Sequence, residues 1–166
     1  MLYWDLTWKE HKESLETLTG RQLAQLALAC IDDLYSEYNL YFEKALEKSQ
    51  QHLIASTLSA LRSNASVGPN LERLDEQLDK PLATGVWDLF MALSQLVQTF
   101  DGATSEDALE VMSYAYQSVL AIEVLSKLET ETLEDEIRRL EAASPACVRA
   151  INSQLSQLSM LIGPFP

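Results

Sequence analysis

The feature that most constrains the fold is a pair of long apolar-periodic segments in the stretch Gly85 to Lys127, joined at Asp101-Gly102. In each segment apolar residues recur at three- and four-residue steps, which is the repeat of one helix face. After the Asp-Gly turn, Thr104-Ser105-Glu106-Asp107 places a hydroxyl before two acids, a pattern that favours a helix start. The stretch therefore predicts an antiparallel helical hairpin.

The rest of the chain repeats this periodicity. Only five of the 166 residues are Gly and five are Pro, and the abundant Leu, Ala, Glu, Ser and Gln are typical of helical proteins. A chain of this length can bury one substantial core but not two comfortable ones. The sequence predicts an all-α, single-domain bundle of about 7-9 helices around the central antiparallel helical hairpin.

Capping patterns predict where several helices begin. Thr7-Trp8-Lys9-Glu10 has the spacing of a capping box and predicts a first helix that runs to about Thr19. Thr19 and Gln22 repeat that spacing for a second helix. Asn70 is expected to cap a short helix, and Ser144-Pro145 is expected to start the last one, because proline suits the first helical position.

Large aromatic residues are expected mainly in the core. Trp4 and Trp8 are four residues apart and are interpreted as a lid over the core, with an exposed partner-binding pair as the alternative. Val86 to Phe100, with Trp87 counted among its buried residues, is expected to be the buried spine. A tyrosine cluster with Phe42 favours a packed seam over a small-molecule pocket. Its members are Tyr35, Tyr38 and Tyr41.

Acidity is the main compositional outlier, with a formal net charge of -13. The stretch Asp101 to Glu136 contains ten acids and a single base, Lys127. Such a surface repels phosphate backbones and attracts basic proteins, so we expect no nucleic acid and a basic protein partner. The alternative is that acidity only maintains solubility. The expected partner-binding residues are Asp101, Glu106, Asp107, Glu110, Glu131, Glu134, Asp135 and Glu136.

Residue combinations typical of catalysis are missing from the sequence. Metal sites in helical bundles use Glu-x-x-His pairs, and neither histidine follows a glutamate by three residues. Glu106, Glu110 and Glu123 share one predicted helix and are interpreted as solvated. Cys147 is the one candidate nucleophile, because a helix start lowers a thiol pKa, but its apolar neighbours favour burial. With no cofactor-binding motif either, the sequence predicts a protein without enzymatic activity.

Location and redox state follow from simpler features. No apolar run approaches the roughly 20 residues needed to span a bilayer, and the first residues lack the charge and hydropathy pattern of a signal peptide. We therefore expect a cytoplasmic protein that does not insert into membranes. Cys30 and Cys147 lie in apolar helical contexts and are expected to be buried free thiols.

Two segments resemble the YjaG-like family, also called domain of unknown function 416, which comprises uncharacterised bacterial proteins. The first, ALACIDDLYSEYNLYF, combines an Ala-Cys step with Tyr-x-x-Tyr and a following aromatic residue. The second joins GVWDLFMALSQLV, across the Asp-Gly turn, to EDALEVMSYAYQSVLAIEVL. This resemblance implies an all-α fold and brings no catalytic residues with it.

Two functional hypotheses precede a third, an enzyme that uses Cys147 or the carboxylates of the long helix. The first is a small acidic inhibitor of the immunity-protein type, which neutralises a basic toxin or another basic protein through a carboxylate-rich face. The second is a structural or housekeeping domain that forms homo-oligomers through an apolar helix face. In that case Tyr3, Trp4 and Trp8, together with the segment 160–165, are expected to be the self-association surfaces.

Overall fold

The computed structural model describes residues 1–129 and 131–163. Within these residues the chain forms nine α-helices and one short 3-10 helix, Leu125–Lys127, and contains no β-strand. The all-α prediction is confirmed, with a helix number inside the expected range. The helices are α1 (Tyr3–Glu16), α2 (Gly20–Glu37), α3 (Asn39–Ala45), α4 (Lys48–Arg62), α5 (Gly68–Leu78), α6 (Val86–Thr99), α7 (Ser105–Glu123), α8 (Glu134–Ala143) and α9 (Pro145–Ile162).

Helices α6 and α7 form the predicted hairpin, and they pack on each other more extensively than any other pair of helices. Gly85, at the start of α6, contacts Ser118 near the end of α7. At the opposite end of the pair, Gln95 Nε2 donates to Glu110 Oε2 at 3.0 Å. The two helices are therefore antiparallel, as the sequence predicts.

The start of α6 requires glycine. Gly85 has a φ of +78°, which side chains rarely tolerate, and a Cβ there would lie 2.8 Å from Ile122 Cγ1 and 2.9 Å from the Ser118 carbonyl oxygen. This close approach allows Ser118 Oγ to donate to the Gly85 carbonyl at 2.7 Å. Glycine thus brings the start of α6 into direct contact with α7.

The remaining helices pack around this hairpin. Helix α2 contacts α6, α7 and α9, helix α5 covers α6, and α1 lies across α7, α8 and α9. Their buried apolar side chains join into one core. Trp4 and Trp8 are only 6% and 2% exposed, which confirms their interpretation as a core lid. Trp4 Nε1 donates to Gln154 Oε1 at 2.8 Å, whereas the buried Trp8 Nε1 has no hydrogen-bond partner within the described residues.

The first helix begins earlier than predicted. Helix α1 starts at Tyr3, because the Asp5 carboxylate accepts from the Leu2 amide at 2.8 Å and a distant residue, Glu141, accepts from the next two amides. Thr7 therefore lies inside the helix, where its hydroxyl donates to the Tyr3 carbonyl at 3.1 Å. The predicted capping box at Thr7 is wrong, because tertiary contacts satisfy the amides upstream.

Two further boundaries differ from the prediction. Helix α5 begins at Gly68, with Pro69 in its first turn, so Asn70 does not cap it. Instead Asn70 Nδ2 donates to Thr57 Oγ1 of α4 at 2.9 Å, which ties the two helices together. The helical spacing of Leu133, Ile137 and Leu140 predicts a peripheral helix over Glu129 to Glu141, but helix α8 begins at Glu134.

Other predicted caps are confirmed. Thr19 Oγ1 accepts from the Gln22 amide at 3.2 Å, while Gln22 Oε1 accepts from the Thr19 amide at 2.9 Å. Ser144 Oγ accepts from the Cys147 amide at the start of α9. Local sequence is sufficient at these helix starts, since both partners lie within three residues of each other.

Candidate functional site

The eight acids expected to bind a partner all lie at the surface. Asp107 is partly exposed and the other seven are exposed. They fall into two groups at different helix starts. The turn group consists of Asp101, Glu106, Asp107 and Glu110. The α8 group consists of Glu131, Glu134, Asp135 and Glu136.

The turn group surrounds the start of α7. Asp107 completes a capping box, in which its Oδ2 accepts from the Thr104 amide at 2.9 Å and from Thr104 Oγ1 at 2.8 Å. Asp101 borders a shallow pocket together with Arg21. Glu106 and Glu110 are four residues apart and so share one face of α7. Asp107 therefore has a structural role, and the other three acids are more available to a partner.

The α8 group surrounds a large exposed apolar side chain, Leu133, which is 75% exposed. Glu134 forms an ion pair with the amino group of Met1. The four-residue spacing in the sequence predicts ion pairs of Glu134 with Arg138 and of Asp135 with Arg139. Neither pair is formed. Arg138 instead binds Asp135 at 2.9 Å, and Arg139 binds Glu136 at 3.8 Å. A spacing of three residues replaces the predicted four, and both spacings bring side chains together on a helix.

Helix α1 lies between the two acidic groups. Trp4 stacks on Tyr116 with ring centroids 6.1 Å apart, and Trp8 lines a shallow cleft with Leu109, so α1 runs antiparallel to α7. Glu106 precedes Tyr116 by ten residues, which is about 15 Å of helical rise. The α8 group lies near the start of α1, where Glu134 pairs with the amino group of Met1. Acids that belong to one continuous segment of the sequence therefore lie on two separate surfaces of the structure.

A buried carboxylate, Glu141, was not recognised in the sequence. Its side chain is 0% exposed. Glu141 accepts from the Tyr3 amide at 2.8 Å, from the Trp4 amide at 3.0 Å and from the Tyr116 hydroxyl at 2.5 Å. Burial, together with this hydrogen bond to Glu141, raises the pKa of Tyr116, which keeps the hydroxyl protonated and able to donate. Glu141 therefore acts as an N-cap for α1 supplied by another helix.

The network around Glu141 continues through an amide side chain. Gln154 of α9 accepts from Trp4 Nε1 and donates through Nε2 to the Met112 carbonyl at 3.0 Å. Four helices, α1, α7, α8 and α9, thus meet through buried hydrogen bonds. In the sequence Glu141 ends a charged segment. The one sequence feature that sets Glu141 apart is its position next to the apolar Leu140 and just before the Ser144-Pro145 helix start.

Neither cysteine has the surroundings of a reactive thiol. Cys30 and Cys147 are both buried and reduced. Burial is the main factor that raises the pKa of each thiol, and for Cys147 it outweighs the hydrogen bonds with Ser144 and Tyr116 that lower its pKa. A raised pKa disfavours the thiolate that nucleophilic attack requires. The candidate nucleophile Cys147 is therefore better described as a packed core side chain.

The tyrosine cluster forms a packed seam. Tyr35 stacks on the buried Phe42 with ring centroids 5.6 Å apart, and Tyr41 contacts the same ring edge-on at 5.6 Å. The Tyr41 hydroxyl donates to the Thr84 carbonyl at 2.6 Å. The Tyr38 hydroxyl donates to Glu123 Oε1 at 2.9 Å, and burial raises the pKa of Tyr38. The hydroxyls of Tyr38 and Tyr41 therefore form hydrogen bonds within the fold.

A narrow cleft opens between α2, α7 and α9, and its lining includes small side chains such as Ala115 and Ala150. Its volume of about 60 Å³ suits a few water molecules, whereas small-molecule sites usually exceed about 300 Å³. Asp33, which lines the cleft, accepts from Ser153 at 2.8 Å and from Gln157 at 2.9 Å. No group of three or more His, Cys, Asp or Glu residues suited to a metal ion occurs within the described residues.

Trp87 differs from its predicted position in the buried spine. Its side chain is 43% exposed, and it contacts Tyr114 of α7 edge-to-face at a centroid distance of 6.1 Å. The residues four and eight positions later on α6 are Met91 and Gln95, which are only partly buried. The prediction was wrong because this face becomes polar at Gln95, which indicates a boundary with solvent.

Two carboxylates accompany this aromatic pair. Desolvation is the main factor that raises the pKa of Tyr114, and nearby Glu110 and Asp88 raise it further. Burial raises the pKa of Asp88 itself to about 6, against the opposing effect of a backbone hydrogen bond. We call these four residues, Trp87, Asp88, Glu110 and Tyr114, the Trp87 surface.

Comparisons of the chain with protein-family models, with curated proteins and with solved structures find no match. The resemblance to the YjaG-like family therefore stays a prediction. None of the helices within residues 1–129 and 131–163 has the length and hydropathy required to cross a bilayer.

Proposed function

We propose that the protein is a non-enzymatic binding module that captures a basic protein, in the manner of a small immunity-type inhibitor that neutralises a basic toxin. The observation that carries this proposal is the exposure of seven of the eight acids in the turn group and the α8 group. Together with a net charge of -13, they give the surface a field that attracts positive partners and repels nucleic acid. In this proposal the protein acts in the cytoplasm, where Cys30 and Cys147 stay reduced.

The two acidic groups make the proposal testable one surface at a time. The turn-group variant carries Asp101→Asn, Glu106→Gln and Glu110→Gln, and it leaves Asp107 to cap α7. The α8-group variant carries Glu131→Gln, Asp135→Asn and Glu136→Gln, and it leaves Glu134 paired with Met1. Neutral amides are preferred to lysines, because cations at a helix start oppose the helix dipole.

A matched control removes the same number of charges elsewhere. Glu10, Glu13 and Glu16 are exposed on α1 and belong to neither acidic group, so their triple replacement by Gln changes net charge by the same amount. Circular dichroism and thermal unfolding first verify that each variant folds like the original protein.

The experiment is a pull-down from the native lysate, followed by titration of the purified captured protein at low and moderate salt. The proposal expects a basic partner whose affinity falls at least about ten-fold in one of the two group variants and changes little in the control. A partner that is not basic, or equal affinities in all three variants, would contradict the proposal.

Self-association through an apolar helix face is the second candidate. The exposed side chains of Met1, Tyr3 and Leu6 around the start of α1 favour it. Trp4 and Trp8, which were expected to take part, are buried and unavailable to a second copy. Met160 is exposed at the end of α9, while Phe165 lies outside the described residues. Light scattering tests this candidate, since a monomer across a concentration series excludes it.

A further inference from the structure

The Trp87 surface combines features that are rare together on an exposed face. Trp87 is a large aromatic side chain with 43% of its area open to solvent, whereas Trp4 and Trp8 are buried. Tryptophan and tyrosine are enriched among the residues that dominate binding energy at protein interfaces. The exposed Trp87 and the partly buried Tyr114 on a packed helical hairpin therefore offer a rigid apolar anchor.

Charge defines the kind of side chain that would fit this anchor. Asp88 from α6 and Glu110 from α7 both lie close enough to the Tyr114 hydroxyl to raise its pKa. Glu110 also lines a shallow cleft together with Lys9 and Lys12 of α1. Asp88 does not line that cleft. Asp88 follows Trp87 on α6, and Glu110 lies one turn before Tyr114 on α7 while it accepts from Gln95 at 3.0 Å. Negative charge near an aromatic pair favours a cation, which binds both to carboxylate oxygens and over an aromatic face.

Arginine fits this arrangement better than lysine. The guanidinium group is planar, stacks on aromatic rings and donates several hydrogen bonds at once, whereas the ammonium group of lysine is compact and strongly hydrated. Trp87 contacts Tyr114 at an angle of 76° between the rings and remains 43% exposed, so indole surface is available to a guanidinium group.

The Trp87 surface is continuous with the turn group. Glu106, Glu110 and Tyr114 follow each other at steps of four residues on α7 and therefore share one helix face. A basic partner attracted to the start of α7 would next reach Tyr114 on this face and, beside it, Trp87 of α6. The continuity gives an electrostatic approach and an apolar anchor on one side of the molecule.

The geometry points to the Trp87 surface as the binding site for an arginine side chain of the basic partner, an inference that rests on the proposed function. Trp87 supplies the stacking face and Asp88 supplies a hydrogen-bond acceptor. Glu110 adds negative charge one helical turn before Tyr114, and Tyr114 contacts the indole edge-to-face. The α8 group takes no part in this contact.

The probe for this site is a fluorescein-labelled peptide of nine arginines, compared with one of nine lysines, in 150 mM salt at pH 7.5. Anisotropy gives the affinity, and the intrinsic tryptophan emission gives a local signal, because Trp87 is the exposed tryptophan of the three. The test variants are Trp87→Leu and the double variant Asp88→Asn with Glu110→Gln. Their matched controls are Leu40→Ala, at another exposed apolar side chain, and Glu10→Gln with Glu13→Gln.

The arginine peptide is expected to bind more tightly than the lysine peptide and to alter the emission of Trp87. Trp87→Leu should weaken binding about five-fold, and the double carboxylate variant about three- to ten-fold, with both controls within about two-fold of the original protein. Unfolding curves recorded on each variant separate lost binding from lost structure.

Two results would overturn the inference. The first is peptide binding that leaves the Trp87 emission unchanged and has equal affinity in the carboxylate variant and its control. In that case the proposed function still rests on the two acidic groups. The second is no detectable binding of the arginine peptide. The proposed function is judged independently by its pull-down, because that experiment uses the full partner and also probes the α8 group.

Discussion

The two ends of helix α8 carry the same type of side chain in opposite environments. At the start of the helix, Glu134 and Glu136 are exposed, and Glu136 is only loosely paired with Arg139 at 3.8 Å. Near its end, Glu141 is fully buried and accepts three hydrogen bonds from α1 and α7. About two turns of helix separate a solvated carboxylate from one that holds the fold together.

This difference places the carboxylates of the protein in two separate environments. A buried carboxylate is tolerated only where donors surround it, and its loss leaves those donors unpaired. Exposed acids contribute little to stability because water and salt screen them. The surface acids are therefore available for binding without a large effect on folding, whereas Glu141 is not accessible to any partner.

The largest effect is expected for Glu141→Ala. This substitution leaves the Tyr3 and Trp4 amides and the Tyr116 hydroxyl without their acceptor. Each unsatisfied buried donor costs about 1–3 kcal/mol, so we expect a total loss of about 3–5 kcal/mol in the free energy of unfolding. Urea unfolding followed by circular dichroism measures the free energy of unfolding. Glu141→Gln keeps the side-chain size and one acceptor oxygen and should cost less, about 1–3 kcal/mol.

A loss below about 1 kcal/mol in Glu141→Ala would break the comparison between the two ends of α8, because Glu141 would then behave like a surface acid. The hydrogen-exchange protection of the α1 amides gives an independent measure, since α1 loses its cap in this variant.

The next effect is expected for Tyr116→Phe, which removes one donor and keeps the ring that stacks on Trp4 at 6.1 Å. We expect a loss of about 1–2 kcal/mol in the free energy of unfolding, because Glu141 keeps its two amide donors. A double-mutant cycle with Glu141→Ala measures the coupling between the two side chains. Strict additivity of the two changes would show that their hydrogen bond contributes nothing.

Asp88 is an intermediate case, because it is half-buried and its pKa is raised to about 6 from an ordinary value of 3.8. The folded protein therefore binds a proton there more tightly than the unfolded chain does. Its contribution to stability should rise as pH falls through about 6 towards 4 and be lost as pH rises through that window. Asp88→Asn should abolish this pH dependence. The free energy of unfolding should change by less than about 1 kcal/mol, because the carboxyl group is partly exposed to solvent.

Thermal unfolding of the original protein and of Asp88→Asn between pH 4.5 and 7.5 checks this prediction. The relevant quantity is the difference between the two proteins at each pH, because other acids titrate equally in both. A difference that does not change with pH would show that Asp88 has the pKa of an exposed carboxylate.

The smallest effect is expected for Glu136→Gln. The Glu136 side chain is half exposed and pairs with Arg139 at 3.8 Å, so the free energy of unfolding should change by less than about 0.5 kcal/mol. Urea unfolding under the conditions used for Glu141→Ala gives a direct comparison. A loss as large as that of Tyr116→Phe would indicate that the exposed end of α8 is also structural.

Local sequence correctly predicted the all-α fold, the central hairpin and the starts of α2, α7 and α9. Each of these depends on apolar periodicity or on a hydroxyl and its capping partner within three residues. The predictions failed at α1 and α5, because Glu141 satisfies amides of α1 from another helix and Asn70 binds α4 instead of capping α5. Partners distant in the sequence leave no periodic signal.

The candidate site shows the same division. Sequence alone identified the eight acids, since composition and charge are properties of the chain and charged side chains generally remain at the surface. Only the tertiary structure divided these acids into two groups near opposite ends of α1. The tertiary structure also placed Glu141 in the interior and left Trp87 exposed. Burial is decided by which helix faces meet, and those contacts join residues far apart in the sequence, such as Tyr3 with Glu141 and Trp87 with Tyr114.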